Sequence, residues 1–207
     1  DLATYELYLE GRYFLGRRTA DDLRRAAGYF EQAAARDPAY APAYAGLADA
    51  RVLLVLLADA APREEVPLAR SAAVAAIRLD STLAEAHATL GVIREGFDWD
   101  ARGADEEFAL AVALDPSYAT AHLYRGINLL NRGRFDDAVA ELTRARTLDP
   151  LSAPVRMQLG RAYVSAHRPS EAVAVLRSAV ELNPQFAAAH VQLGEAYLQQ
   201  GKDAEAL

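Results

Sequence analysis

The sequence predicts an all-α chain of stacked helix pairs, and three observations carry that reading. Helix-stop dipeptides recur at a fixed interval: Asp115-Pro116, Asp149-Pro150 and Asn183-Pro184 set their prolines 34 residues apart. Proline ends a helix because it lacks the N–H donor and its ring clashes with the preceding turn. Small residues recur in the same register. Gly91, Gly126, Gly160 and Gly194 share one slot, and Ala26, Ala69, Ala104, Ala138, Ala172 and Ala206 share another. Helix axes approach closely only where the side chains between them are small. Large apolar residues fill the complementary slots: Phe30, Phe108, Leu142 and Leu176 in one, Leu47, Leu90, Leu159 and Leu193 in the other.

The register divides the chain into five full repeats, 4–40, 41–83, 84–118, 119–152 and 153–186, and a partial sixth, 187–207. Repeat one stops at Asp37-Pro38, and its surplus length is expected in the turn from Gly16 to Leu23. Repeat two puts Ala48 in the glycine slot and Asp80-Ser81 in the stop slot, and Ala60-Ala61-Pro62-Arg63 reads as a displaced turn. Its run Val52, Leu53, Leu54, Val55, Leu56 and Leu57 covers more than a full turn. A helix at the edge of an array needs only an apolar stripe. The surplus is expected against a long neighbouring helix, a second subunit or a domain upstream of this segment. Repeats four and five are the cleanest copies. Repeat six breaks at Leu207, early in its expected second helix, which leaves Leu193, Tyr197 and Leu198 without their usual cover. The whole register predicts about eleven helices, no sheet, and helix ends at or just before Pro38, Pro116, Pro150 and Pro184.

Composition narrows the function classes. The chain has 207 residues, 52% of them apolar, a net charge of -7 and a pI near 5.1. An acidic balance argues against nucleic acid, whose partners carry a basic surplus. The absence of cysteine excludes disulfides and thiolate metal sites. The longest apolar run is far short of the roughly 20 residues of a membrane helix, so no membrane partner is expected. No secretory signal is visible, and a cytoplasmic setting is expected. The chain opens on Asp1 rather than methionine and stops inside a helical pattern, so it reads as a piece of a longer protein.

A 34-residue helix–turn–helix unit with these slots resembles the tetratricopeptide repeat. The repeat 119–152 carries Gly126, Gly133, Phe135, Ala138, Leu142, Ala145 and Pro150 where that family places its signature. The resemblance covers essentially the whole chain. It implies a right-handed superhelical solenoid of antiparallel helix pairs, with a concave face lined by the first helix of each pair. In the family that face grips an extended peptide or a partner helix. The segment 5–30 and the sequence Phe97-Asp98-Trp99-Asp100 are also similar to repeat regions that follow signalling modules in bacterial proteins.

Residues three and four apart share a helix face. The face left over by the leucine and glycine slots carries Asp49, Thr89, Tyr124, Asn131, Gln158, Arg161, Ser165, Gln192, Glu195 and Gln199. These are the candidate peptide-binding residues, and the uncharged bias of the later repeats suits hydrogen bonds to a peptide backbone. The inner slots Ala88, Val92, Leu123 and Ile127 do not form the carboxylate clamp of chaperone-tail binders. Three histidines, His87, His122 and His190, fall in one slot, where Tyr44 also stands, so repeat position accounts for them without a metal. Asp98, Asp100, Asp105 and Glu106 lack the glycine and closing glutamate of a calcium loop and read as helix caps. Arg12, Arg17, Arg18, Arg24 and Arg25 are interrupted by Asp21 and Asp22 and read as solvated surface. No phosphate loop, nucleophile elbow or carboxylate pair suggests catalysis. The expected function is therefore a non-catalytic, cofactor-free protein–protein interaction module, a scaffold or regulatory region of a larger bacterial signalling protein. The alternative is a structural unit through which copies associate, by way of the repeat-two insertion or the C-terminal end.

Overall fold

The computed structural model describes residues 1–205, so Ala206 and Leu207 of the expected second helix of repeat six lie outside the described residues, and 203–205 form a turn. Eleven helices and no strand occur among them: α1 (Leu2–Arg17), α2 (Ala20–Arg36), α3 (Ala41–Leu57), α4 (Pro62–Leu79), α5 (Ala84–Gly96), α6 (Ala101–Leu114), α7 (Ala119–Asn131), α8 (Phe135–Leu148), α9 (Ala153–Ser165), α10 (Pro169–Leu182) and α11 (Ala187–Gln199). Four helices end two residues before Pro38, Pro116, Pro150 and Pro184. The stop has a second physical cause. Asp37, Asp80 and Asn183 each accept a hydrogen bond from the backbone N–H two residues on, at 3.0, 2.9 and 3.2 Å. Such a turn competes with the helix, which is how Asp80 stops α4 without a proline. Asp80 also accepts from the Thr82 hydroxyl at 2.6 Å.

The chain forms two compact units, 1–115 and 116–207. In the first, α1 pairs with α2, α3 with α4 and α5 with α6; α1, α3 and α5 also pack side by side. In the second, α7 pairs with α8 and α9 with α10, and α7, α9 and α11 pack side by side. Turns of two to four residues reverse the chain within each pair. Each turn holds a residue at positive φ: Arg18, Asp59, Trp99, Gly133 and His167.

Two sequence expectations need correction here. The extra length of repeat one lies in its helices, not in a turn spanning Gly16 to Leu23: α1 runs to Arg17 and α2 begins at Ala20 after the Thr19 cap, whose hydroxyl accepts from Asp22 N–H at 3.2 Å. In repeat two the turn is 58–61, and Pro62 and Arg63 already belong to α4. Proline suits a first helical position, where its missing N–H has no partner to lose.

Packing follows the small and large slots. In the first unit Phe14, Leu23, Phe30, Ala50, Leu53 and Leu54 form one core, while Val52 joins Val66, Ala69 and Ile93 in another. Half of the long apolar run is thereby inside the unit, and Leu56 and Leu57 remain 48% and 54% exposed. The core of the second unit centres on Leu129, Leu142, Leu159 and Leu176. Where arginine replaces the usual apolar residue, carboxylates meet it. Arg51 bridges Glu31 and Glu65, Arg94 reaches Glu107 at 3.0 Å, and Arg125 reaches Glu141 at 2.9 Å.

Candidate binding surface

The first helix of each pair has two neighbouring faces, and the structure separates them. One face is the seam against the preceding helix pair, where Gly46 of α3 faces Phe30 of α2. In α3 it holds Ala43, Gly46 and Ala50, in α5 Ala86, Thr89 and Ile93, all buried. In α9 it holds Val155, Gln158 and Ala162, in α11 Ala189, Gln192 and Ala196. The adjacent face, one residue step around each helix, is buried at Ala45 of α3 and Ala88 of α5 but open along α9 and α11.

Thr89 is therefore corrected: it is 3% exposed and sits in the seam, not on an open lining. Gln158 and Gln192 occupy the same register and are half-buried, with amide oxygens shielded from solvent and without a donor among the described residues. Tyr124 stands in that register on α7, also half-buried. Asp49 and Arg161 lie half-buried on the open face, and Glu195 is exposed there. At the helix ends, Asn131 and Gln199 are exposed and Ser165 is half-buried. Arg161 donates to Asn131 Oδ1 at 3.4 Å, and Gln199 donates to the Val164 carbonyl at 3.3 Å. The second unit thus brings Tyr124, Gln158 and Gln192, then Arg161 and Glu195, then Asn131, Ser165 and Gln199 into parallel rows on α7, α9 and α11. Met157, Val191 and Leu198 add apolar surface between these rows, Val191 being 67% exposed.

The first unit adds residues that the sequence reading missed. Arg12 of α1 approaches Glu85 of α5 to 3.8 Å, over the α3 face that carries Asp49. Tyr8 lies on the same side of α1, and its ring meets Phe30 and Tyr40. Arg12 occupies the helix slot of Asp49 and Arg161. The marker of that register is Gly11, which packs on Phe30, but the irregular first repeat hid it. Desolvation pushes the Asp49 carboxyl up to about 6, with Arg18 and Arg12 opposing the shift.

His87 and His122 are paired on both ring nitrogens. Nδ1 lies 2.7 Å from Glu107 in His87 and 2.6 Å from Glu141 in His122. Nε2 donates to the Ser81 and Pro116 carbonyls at 3.2 and 3.0 Å. His190 Nε2 donates likewise to the Pro184 carbonyl at 3.0 Å. This slot ties the first helix to the preceding turn, and in repeat five Arg156 does the same by donating to the Pro150 carbonyl at 2.6 Å. Among the described residues no cluster of three ligating side chains forms a metal site.

These environments fix a pH response. The Asp49 carboxyl titrates higher folded than unfolded, so its contribution to stability is full below its ordinary range and is lost as pH rises through about 6. The hydrogen bond to Glu107 raises the His87 pKa against desolvation, so its contribution is full below the ordinary histidine value and is lost at higher pH still. The melting temperature is therefore expected to fall in two steps as pH rises. Asp49→Asn is expected to remove the lower step and leave the upper one, read by circular dichroism melts across that range. A lower step unchanged in Asp49→Asn would contradict the assignment.

The tetratricopeptide repeat family model matches residues 100–153 and 157–207, and a second tetratricopeptide model matches residues 129–179. No curated protein matches the chain. Among solved structures, a monomeric mutant of IFIT1 with Gppp-AAAA superposes with a TM-score of 0.81 at 21% identity, covering 98% of this chain and 48% of that one. The chain thus spans about half the length of that protein. PilW, a type IV pilus biogenesis factor, gives a TM-score of 0.75 at 20% identity, covering 100% and 90%. TTC0263, a thermophilic TPR protein in Thermus thermophilus, gives 0.68 at 24% identity, covering 95% and 100%. These likenesses extend the fold to the whole chain. With repeating 34-residue helix pairs, glycines packed on large apolar residues and a family match across half its length, the chain belongs to the tetratricopeptide repeat family.

Proposed function

We propose that the open face of α7, α9 and α11 holds a segment of another protein, without catalysis or a cofactor. The observation that carries this reading is the row of Arg161 and Glu195 on that face, with Asn131, Ser165 and Gln199 at the helix ends and apolar side chains between them. Backbone groups of an extended segment require hydrogen-bonding side chains, and its apolar side chains require partly open apolar slots. Arg161 and Glu195 supply the first, Met157 and Val191 the second. Helical repeat proteins use such extended surfaces for binding. YrrB, described as a TPR protein with an unusual peptide-binding site, shares the fold with a TM-score of 0.55 at 22% identity over 82% of each chain.

The net charge of -7 favours a protein segment over nucleic acid. No helix among the described residues is long and apolar enough to cross a membrane. A cytoplasmic role as the scaffold or regulatory region of a bacterial signalling protein belongs to the same proposal.

The test is selection of short peptides on the immobilised chain, followed by titration of the selected peptides. Arg161→Glu and Tyr124→Ala are expected to weaken binding about tenfold or more, which is ~1.4 kcal/mol. Arg144→Glu and Arg177→Glu, on exposed positions of the second helices α8 and α10, are expected to leave it unchanged. Equal losses from both sets would remove the open face as the site.

A further inference from the structure

The turns that join the helices of each pair in the first unit lie along one edge, because α1, α3 and α5 pack side by side and run in the same direction. Charge is distributed unevenly along that edge. At the α1–α2 turn stand Arg17, Arg18, Arg24 and Arg25 against Asp21 and Asp22, four cations to two anions. Arg17 and Arg24 pair with Asp22 at 3.1 Å and Asp21 at 2.9 Å, and the Arg25 guanidinium lies 3.8 Å over the Phe14 ring. At the α5–α6 turn the balance is reversed. Residues 94–107 contain six carboxylates and two arginines, and Arg70 joins them by reaching Asp98 at 2.6 Å. Arg18 and Trp99 are the positive-φ residues of their respective turns, and Arg25 and Glu106 lie in the second turns of α2 and α6.

Between the charged ends, exposed leucines stand beside Asp59, Arg63 and Glu64, which are exposed in the same turn region. Leu56 and Leu57 project from the last turn of α3, about half exposed. Trp99 is 88% exposed at φ 58, a left-handed conformation that bulky residues rarely adopt. The neighbouring backbone fixes it there, since the Asp98 N–H donates to the Ile93 carbonyl at 3.3 Å and the Asp100 N–H to the Arg94 carbonyl at 2.9 Å. An indole held out of a packed unit by an anchored turn has the form of an interface anchor.

A surface with a basic end, a pair of exposed leucines near its centre and an acidic end is complementary to itself after a half-turn. We propose that this edge is a homodimer interface, in which two copies of the chain are related by a two-fold axis through the α3–α4 turn. The axis sets the arginine end of each copy on the acidic end of the other, as an isologous interface requires. It also brings the two pairs of leucines together at the centre. Trp99 of each copy falls on the other's arginine end, where a guanidinium stacks well on an indole face. The charged ends fix the orientation and the leucine pairs supply the affinity. This edge is separate from the open face of α7, α9 and α11, so the two proposals stand or fall independently.

Sedimentation of the chain over a range of concentrations tests this. The unaltered chain is expected to dimerise, less so at high salt. Three variants are each expected to be monomeric with an unchanged helical spectrum: Leu56→Glu with Leu57→Glu, Arg18→Glu with Arg25→Glu, and Asp98→Lys with Glu106→Lys. Mixing the two charge-reversed variants is expected to restore a dimer containing one copy of each, because every reversed end then meets its opposite. Trp99→Ala, which leaves the cores untouched, is expected to weaken the dimer at least tenfold. The proposal is overturned by an unaltered chain that is monomeric throughout, by a dimer that survives the leucine changes, or by folded charge-reversed variants that fail to associate on mixing.

Discussion

Phe30→Ala is expected to destabilise the first unit by ~3–5 kcal/mol, the usual range for a buried phenylalanine. The expectation comes from how three helices close on one ring. Phe30 is fully buried in α2, and a Cβ built on Gly11 of α1 or Gly46 of α3 would lie 2.6 Å from it. The glycines bring both backbones onto the ring, so at those two points no side chain can move into the space that alanine leaves. Since whole domains are stable by only about 5–15 kcal/mol, the variant is expected to lose the fold of the first unit at moderate urea. Phe30→Leu, which keeps much of the volume, is expected to cost under about 1.5 kcal/mol. Urea titration followed by circular dichroism measures both, and similar midpoints for the two variants would contradict the account.

The complementary experiment adds volume in the second unit. A Cβ on Gly160 would lie 2.3 Å from Leu176 Cγ and 2.5 Å from Cδ2. The branch point of a leucine cannot yield as a flexible chain end would. Gly160→Val is therefore expected to cost ~1–3 kcal/mol by overpacking, in the range known for enlarged core residues. The two sites touch, so their effects should not add. Leu176→Ala alone opens a cavity; placed beside Gly160→Val it makes room for the new methyl groups. The double variant is expected to be more stable than the sum of the singles by ~0.5–3 kcal/mol, the coupling seen between contacting residues. Strict additivity would mean that Gly160 and Leu176 do not share one packing site.

The same contacts explain why the fold was legible in the sequence. Proline stops and glycine–leucine pairs are local, periodic constraints, so they reveal helix ends and packing partners without any knowledge of the neighbours. The binding surface is harder to read, because it depends on how one helix is rotated against the next. Thr89 and Gln158 lie one residue step from the open face, and only the packing of α3 against α5 and of α7 against α9 reveals that their register is the seam. Asp49 and Arg161 stand a further residue step away from the seam, which puts them on the open side. Arg12 was missed for a different reason: the first repeat keeps its surplus residues inside α1 and α2, which disguises the slot that Gly11 marks. The apolar run of α3 was visible as surplus, but its division into buried Val52 to Leu54 and exposed Leu56 and Leu57 depends on where α3 passes the end of its neighbours.

The claim that the open face of the first helices is the binding surface is tested most directly by amide chemical-shift mapping of the chain with a selected peptide. The predicted result is a continuous set of perturbed amides around Tyr124, Arg161 and Glu195 on α7, α9 and α11, with α8 and α10 little changed. Perturbations centred on α8 and α10, or on the turns alone, would contradict it.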